Sequence, residues 1–561
     1  MQLAQPSSSN REAGRFRLTV LGILALAGLW RAVSAAALPA ISRDGVTFCL
    51  YARGLGEQGV AFLRAPEAQQ HPLFPTLILG VQRAFRLLGA ADSPMTWQRS
   101  GQVVGWVAGM LVVVLAGVLA WRLARRSAAN VDPHRVLLLA LLLAGLLDLN
   151  VWLSADVMAE QVHLALYLAA VVLLLDLGRV AAALGCGVCA GLAFLTRQEG
   201  FLPVLAGFAV LVSARGQTTW SKLLARAALL VAGFLLCAAP YWALVGKFST
   251  KKDVFDWLRR RSAVVTDSAV LVSALQPECG AHAVNPATRA PADGGPVLAR
   301  LRTLDLPWYA LLPHFLYKLL RAGRVVIPLL AIGTLVRVRR RLLAPAFAGL
   351  TGCLAGHSAL TLLLLNRYGY LETRHLLVVV MLLVPLAAIQ LARGMDWRVP
   401  RRATRIGAAL PIVVLLPLAA YSLRLPNAPD RVYVDAAHWL VARDPLVKSK
   451  RLLCSASPRR TAFYADMRWD PWWDQARDYE SLGAQIRDGG AGYFAIEVST
   501  ERDDTRRFEI ADNRALVTRL LDDPQMAPCL RLVHVERSPF QKELLLFELQ
   551  CSPNPDSQPG P

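Results

Sequence analysis

The segment Ser42-Arg43-Asp44-Gly45-Val46-Thr47 follows the first long apolar run of this chain. A carboxylate at that point stands where a lipid-facing surface meets water. There a lipid-borne reactive headgroup would meet a water-borne acceptor, and Asp44 can take the proton of an acceptor hydroxyl as a general base. Asp44 can equally cap a helix beginning at Gly45, since Asp is a favoured N-cap residue. Arg43 beside it is a cation within a substrate's reach. Further on, Gln70-His71-Pro72-Leu73-Phe74-Pro75 opens another apolar stretch. Its proline marks an ordinary helix start, and His71 is able to orient a phosphate or an acceptor.

A reactive headgroup also needs cations, because negative charge developing at a low-dielectric boundary is best stabilised by preorganised Arg or Lys donors. Arg197, Arg367, Arg374, Lys247 and Lys251-Lys252 fall at the outer ends of apolar runs. Each has snorkelling at the interface as its other reading. Arg374 with His375 is the best phosphate-binding pair. Asp156 and Glu160, four residues apart, are expected to share one helix face. There they would bind acceptor hydroxyls or a divalent cation, or simply place acidic charge at a helix N-terminus. No third metal ligand is evident, so neither a metal nor another cofactor is expected. Arg197 and Glu199 either meet a substrate or pair with each other. Cys186 and Cys189 form a CxxC inside GCGVCAGLAF, where small side chains serve helix packing better than redox or metal chemistry.

The elements that must position these residues follow from composition. The chain has 561 residues, 55% hydrophobic and 18% charged, with mean hydropathy +0.40; soluble proteins have about 45–50% apolar and about 25% charged residues. So much apolar surface excludes a soluble multidomain enzyme and a disordered chain, and nine cysteines are too sparse for a disulfide scaffold. Apolar runs near 18–40, 102–121, 136–153, 162–177, 180–196, 201–213, 226–245, 324–336, 345–365, 375–392 and 406–423 predict about eleven transmembrane helices. The first is expected to remain as a span, although VSAAA offers a signal-peptidase-like site. With the N-terminus inside, about twenty basic residues against about three acidic ones fall in the short cytoplasmic segments. That bias accounts for most of the net charge of +21, and no nucleic-acid partner is expected.

Residues 1–15 read as a disordered cytoplasmic tail, 16–425 as the membrane domain and 552–561 as a disordered tail. Between them, 427–551 alternate helix-like and strand-like stretches (DRVYVDAAHWLVA, KRLLCSAS, YFAIEVS, ELLLFELQ), as a small extracytoplasmic α/β domain would. It holds Cys454, Cys529 and Cys551, which the sequence does not pair. The stretch WYALLPHFLYKLLR before the 324–336 run is amphipathic and expected to lie along the membrane interface.

Five segments taken in order resemble one family: SRDGVTFCLYARGL, HPLFPTLIL, GLAFLTRQEGFL, PYWALVGKFSTKKD and RYGYLETRHLLVVV. They are similar to segments of the GT-C membrane glycosyltransferases of the family 39 type, which include protein O-mannosyltransferases and bacterial lipid-A aminoarabinose transferases. The resemblance covers about residues 16–425. It implies a GT-C-like α-helical multi-pass fold, a polyprenyl-phosphate sugar as donor, an extracytoplasmic acceptor and a site at the outer membrane surface. It also implies that Asp44 is the catalytic base. Two departures stand out. Many members have Asp-Glu where this chain has Asp44-Gly45, and the late loop lacks the usual prolines after its arginine, which leaves Arg367 and Arg374 as alternatives.

Two other functions compete: a polyprenyl-lipid or solute transporter, and a non-catalytic envelope scaffold. Transporters place ionisable residues at the bilayer midplane, whereas Asp148 and Asp176 lie towards run ends and the acidic residues of interest lie in outer loops. A scaffold would be indifferent to Asp44→Asn. The expected location is a bacterial inner membrane.

Overall fold

In a computed structural model of the protein, the described residues are 8–65, 68, 70–126, 131–249, 308–339, 344–368, 371–395, 401–423, 428–454, 457–471, 479–487, 490–499, 513–538 and 542–550. The membrane part is helical: α1 Ser8–Ala37, α2 Arg43–Gln58, α3 Leu73–Leu87, α4 Pro94–Arg126, α5 Pro133–Leu146, α6 Asp148–Ala155, α7 Glu160–Leu174, α8 Val180–Phe194, α9 Leu202–Ser213, α10 Trp220–Val245, α11 Trp308–Ala322, α12 Val326–Val338, α13 Pro345–Tyr368, α14 Leu377–Met395 and α15 Arg401–Ser422. All eleven apolar runs are helical. Among the described residues, five helices are long and apolar enough to cross a membrane, or up to seven if each of two bent pairs is one span. The chain is a multi-pass helical membrane protein with a small C-terminal sheet domain. Helix α1 already begins at Ser8, so the polar residues 8–15, expected to be disordered, are helical.

Two breaks shape the bundle. The run 136–153 splits at Leu147, where α5 and α6 meet at 57°. Breaking a helix inside a membrane bares carbonyls that must find donors. Here Asn150 Nδ2 donates to the Ala144 carbonyl at 2.9 Å, and Arg31 of α1, fully buried, donates to the Gly145 carbonyl at 3.2 Å and to Ser154 Oγ at 3.3 Å. The arginine that interrupts the first apolar run therefore stitches the broken helix. The second break, 111° between α11 and α12, turns the aromatic amphipathic stretch away from the apolar helix that follows. Arg324 at this bend has a positive φ of 53°, bonds Asp148 through both guanidinium and carboxylate ends, and lies over Tyr421.

Small residues let α8 and α10 touch backbone to backbone. A Cβ on Gly187 would stand 2.1 Å from the Leu230 carbonyl oxygen, and one on Gly233 2.4 Å from that of Leu184. Cys186 of α8 is buried, with Cys353 of α13 near it.

The C-terminal domain contains α16 Val432–Arg443, β1 Arg451–Cys454, α17 Arg459–Tyr464, β2 Arg468–Pro471, α18 Tyr479–Arg487, β3 Tyr493–Ser499, α19 Asn513–Asp522, β4 Leu530–Arg537 and β5 Lys542–Leu549. Its sheet runs β2-β1-β3-β5-β4, parallel from β2 to β3 and antiparallel onward. One apolar layer, with Tyr433, Leu440 and Leu546, covers one face; Leu482, Ile486, Phe494 and Leu520 cover the other. Cys529 is disulfide-bonded, and Cys454 is a buried thiol.

Candidate active site

Helix α2 begins at Arg43, and Ser42 caps it: the Ser42 hydroxyl accepts the Gly45 N–H at 3.1 Å. The capping task thus falls to Ser42, which leaves the Asp44 carboxylate to face Arg374, whose guanidinium donates to Oδ2 at 2.7 Å. Beneath this turn lies Asp156. Its Oδ1 accepts the Ser42 N–H at 3.0 Å and the Val157 N–H at 2.7 Å, so a buried carboxylate fastens the start of the helix that carries Asp44. Burial pushes the Asp156 carboxyl above the usual carboxylate range, against the pull of these hydrogen bonds. Gly45 closes the contact, since a Cβ there would meet the Val157 carbonyl oxygen at 3.1 Å and the Ile41 Cβ at 3.2 Å. A glutamate in that place would have to push its way in.

Asp156 and Glu160 do not share a helix face. The chain leaves α6 in extended conformation at Asp156 and α7 starts only at Glu160. The four-residue spacing spans a bend, and the two carboxylates serve different partners.

Arg374 lies on the short turn Thr373–Leu376 before α14 and also pairs with Glu372 at 2.5 Å. Across from it, Arg197 joins the ends of α7 and α8, pairing with Glu160 at 2.8 Å and Glu199 at 3.3 Å. Glu160, Arg197, Glu199, Arg374 and His375 line one narrow cavity. His163 and His357 line it too, and their Nε2 and Nδ1 respectively are buried without a hydrogen-bond partner among the described residues. Arginines, carboxylates and imidazoles thus converge on one narrow space, a donor set that suits an anionic or hydroxyl-bearing group.

His71 is placed elsewhere. Its Nε2 meets Ser249 Oγ at 3.1 Å, and its ring packs edge-on against Phe194 and obliquely on Tyr241. It packs the HPLFP segment against the end of α8, where Leu73 N–H also reaches the Leu195 carbonyl at 2.9 Å. Arg43 is half-buried at the start of α2. The side chain of Arg367 and the pair Lys251-Lys252 lie outside the described residues; Lys247 is exposed. Asp148 is held by Arg324, and Asp176 by Arg122 and Arg126.

Four residues of the site were not singled out by the sequence reading. Glu372 stands two positions before Arg374, a signal close at hand. His163 and His357 sit inside apolar helices, where a lone histidine gives no sign of what it faces. Arg459 comes from the C-terminal domain: its guanidinium donates to the Arg43 carbonyl. The same short helix, α17, buries Phe463 among Ile41, Phe48 and Phe74. Tyr464 Oη accepts the Ile41 N–H at 2.9 Å and donates to Gln98 at 2.6 Å.

No protein-family model matches the chain, and no curated protein matches it. Solved structures do. The Archaeoglobus fulgidus oligosaccharyltransferase in complex with Zn and sulfate aligns over 94% of this chain and 73% of its own, at 13% identity and a TM-score of 0.56. ArnT from Cupriavidus metallidurans in the apo state aligns over 94% of this chain and 97% of its own, at 13% identity and a TM-score of 0.55. The same ArnT bound to undecaprenyl phosphate gives the same values. At such identities the likeness is one of fold alone: the chain shares the fold of the archaeal oligosaccharyltransferase and of ArnT.

Proposed function

We propose that this protein is a membrane glycosyltransferase that moves a sugar from a polyprenyl-phosphate donor to a hydroxyl of a cell-envelope lipid, glycan or protein. Asp44 acts as general base. The observation that carries this reading is the Asp44–Arg374 pair, whose arginine lines a narrow cavity with Arg197, Glu160 and Glu199. The undecaprenyl phosphate bound by ArnT supports a lipid phosphate as the donor's carrier.

In the reaction the acceptor oxygen bonds to the anomeric carbon while the bond from that carbon to the phosphate oxygen breaks. The acceptor's proton goes to Asp44, and the electron pair leaves on the polyprenyl phosphate beside Arg374 and Arg197. A donor phosphate competes with Asp44 for Arg374, so donor binding bares the base. Neither a metal nor another cofactor enters the scheme. The N-terminus lies in the cytoplasm and the C-terminal domain outside an inner membrane. The disulfide at Cys529 supports that placement, because disulfides persist in oxidising compartments.

The test uses purified protein in lipid nanodiscs, wild type beside Asp44→Asn, with a panel of radiolabelled polyprenyl-phosphate sugars. Wild type is expected to release sugar from one donor, to water and to envelope acceptors, and D44N to lose at least about 10²-fold of that rate. Equal rates would discard Asp44 as the base. No release from any donor would discard the transferase.

A further inference from the structure

The cations around Asp44 are not balanced alike. Arg374 has two carboxylate partners, Asp44 and Glu372, and Arg197 has two, Glu160 and Glu199. Among the described residues no carboxylate comes within 4 Å of Arg459. Its guanidinium gives one N–H to the Arg43 carbonyl, its Nε is buried without a partner, and Asp44 is near enough to act on it electrostatically. Burial pulls this guanidinium down to about 10, with Asp44 opposing and Arg43 adding to the effect. A buried guanidinium with no carboxylate in contact is costly, and Asp44, shared with Arg374, acts on Arg459 only from a distance.

Arg459 is also placed for a saccharide. It lies over the Trp469 ring at 5.5 Å, and Trp469 is half-buried, so an aromatic face flanks the cation. Arg374 and Arg197 occupy the donor cavity, whereas Arg459 approaches Asp44 from the C-terminal domain. A base must touch the acceptor, and Asp44 is bonded by Arg374 from the turn before α14 and acted on by Arg459 from the C-terminal domain.

The geometry points to an acceptor subsite at the domain junction, in which Arg459, with Arg43 adjoining, binds a phosphate or carboxylate carried on the acceptor sugar next to the hydroxyl that Asp44 deprotonates. This rests on the transferase reading given above and adds to it the acceptor's class: an acidic saccharide.

The test uses the full chain in nanodiscs with whichever labelled donor the wild type cleaves. Glucose 6-phosphate, glucuronate and glucose serve as soluble probes, each read as competitor of transfer to envelope acceptors. Wild type is expected to be inhibited by the phosphate or the uronate at concentrations at least about tenfold below glucose, the scale of a charge-assisted hydrogen bond. The two acidic arms tell phosphate from carboxylate. Arg459→Ala should erase that preference and lower transfer relative to donor hydrolysis about tenfold or more; Arg459→Lys, which keeps the charge, should restore most of the preference. Equal inhibition by acidic and neutral sugars in wild type overturns the subsite. So does a preference that survives R459A, or one lost equally in R459A and R459K together with a lower unfolding midpoint. If wild type cleaves no donor, the transferase reading itself has failed, and the subsite falls with it.

Discussion

At Asp156 one carboxylate oxygen accepts two backbone N–H groups at full burial, and the other oxygen is held in the same desolvated place. The folded protein therefore binds a proton at Asp156 more tightly than the unfolded chain does. For such a group stability is greatest below the unfolded value, about 3.9, and falls as pH rises through the elevated folded value. Asn keeps the accepting oxygen and removes the titration. The unfolding midpoint of Asp156→Asn in nanodiscs should gain on wild type as pH rises above about 3.9 until the folded carboxyl has ionised, and curves parallel over the whole range would show that the carboxyl does not carry that dependence. Asp156→Ala, which removes the acceptor as well, should cost about 1–3 kcal/mol. Asp44 and Arg374 were legible because unusual charges flank apolar runs. The role of Asp156 was not, because its four-residue spacing to Glu160 reads as helix and only the bend at 156–159 shows otherwise. Why Gly45 follows Asp44 was equally hidden, being a matter of room against Val157.

Helices show a similar division between what periodicity reveals and what contact decides. Apolar runs marked most helices of the bundle, since a lipid-facing helix has no other way to satisfy its backbone, but α2, which carries Asp44, falls under none of them. They did not give the split at Leu147, whose cause lies in donors from Arg31, on a different helix, and from Asn150 just beyond it. The bend before α12 left a trace, because 324–336 is too short for a straight span and follows an amphipathic stretch. At the α8–α10 seam the Gly/Ala/Cys composition announced close packing. Gly187→Ala should cost about 1–3 kcal/mol of stability, because its new methyl must displace the Leu230 carbonyl. Cys189→Ala, at a partly exposed position, should change stability by less than about 0.5 kcal/mol and leave donor cleavage intact. Thermal unfolding and donor cleavage on both variants check this, and a loss of activity in C189A alone would revive a chemical role for the CxxC.

On the scale of the whole molecule, the question is what holds the C-terminal domain over Asp44, which lies more than 400 residues away in sequence from the helix that covers it. Nothing in the sequence joins Arg43 to Arg459; the domain itself was legible from its helix–strand rhythm, its docking face was not. Besides the hydrogen bonds of Arg459 and Tyr464, an ion pair and an apolar contact hold it. Arg53 pairs with Asp466 at 2.8 Å, but both side chains are partly exposed, at 44% and 24%, and such pairs contribute less than about 1 kcal/mol. Phe463 is buried in the membrane domain's apolar cluster, and removing a buried Phe ring costs about 3–5 kcal/mol. The apolar anchor should therefore dominate. Phe463→Ala is expected to speed amide hydrogen exchange at Ile41 and Ser42, whose N–H groups bond Tyr464 and Asp156, and to lower transfer to acceptor. Arg53→Ala should leave both close to wild type. If the order were reversed, docking would be electrostatic and would weaken with salt. If F463A loosened the exchange without lowering transfer, the C-terminal domain would be a cover over the site and Arg459 no part of it.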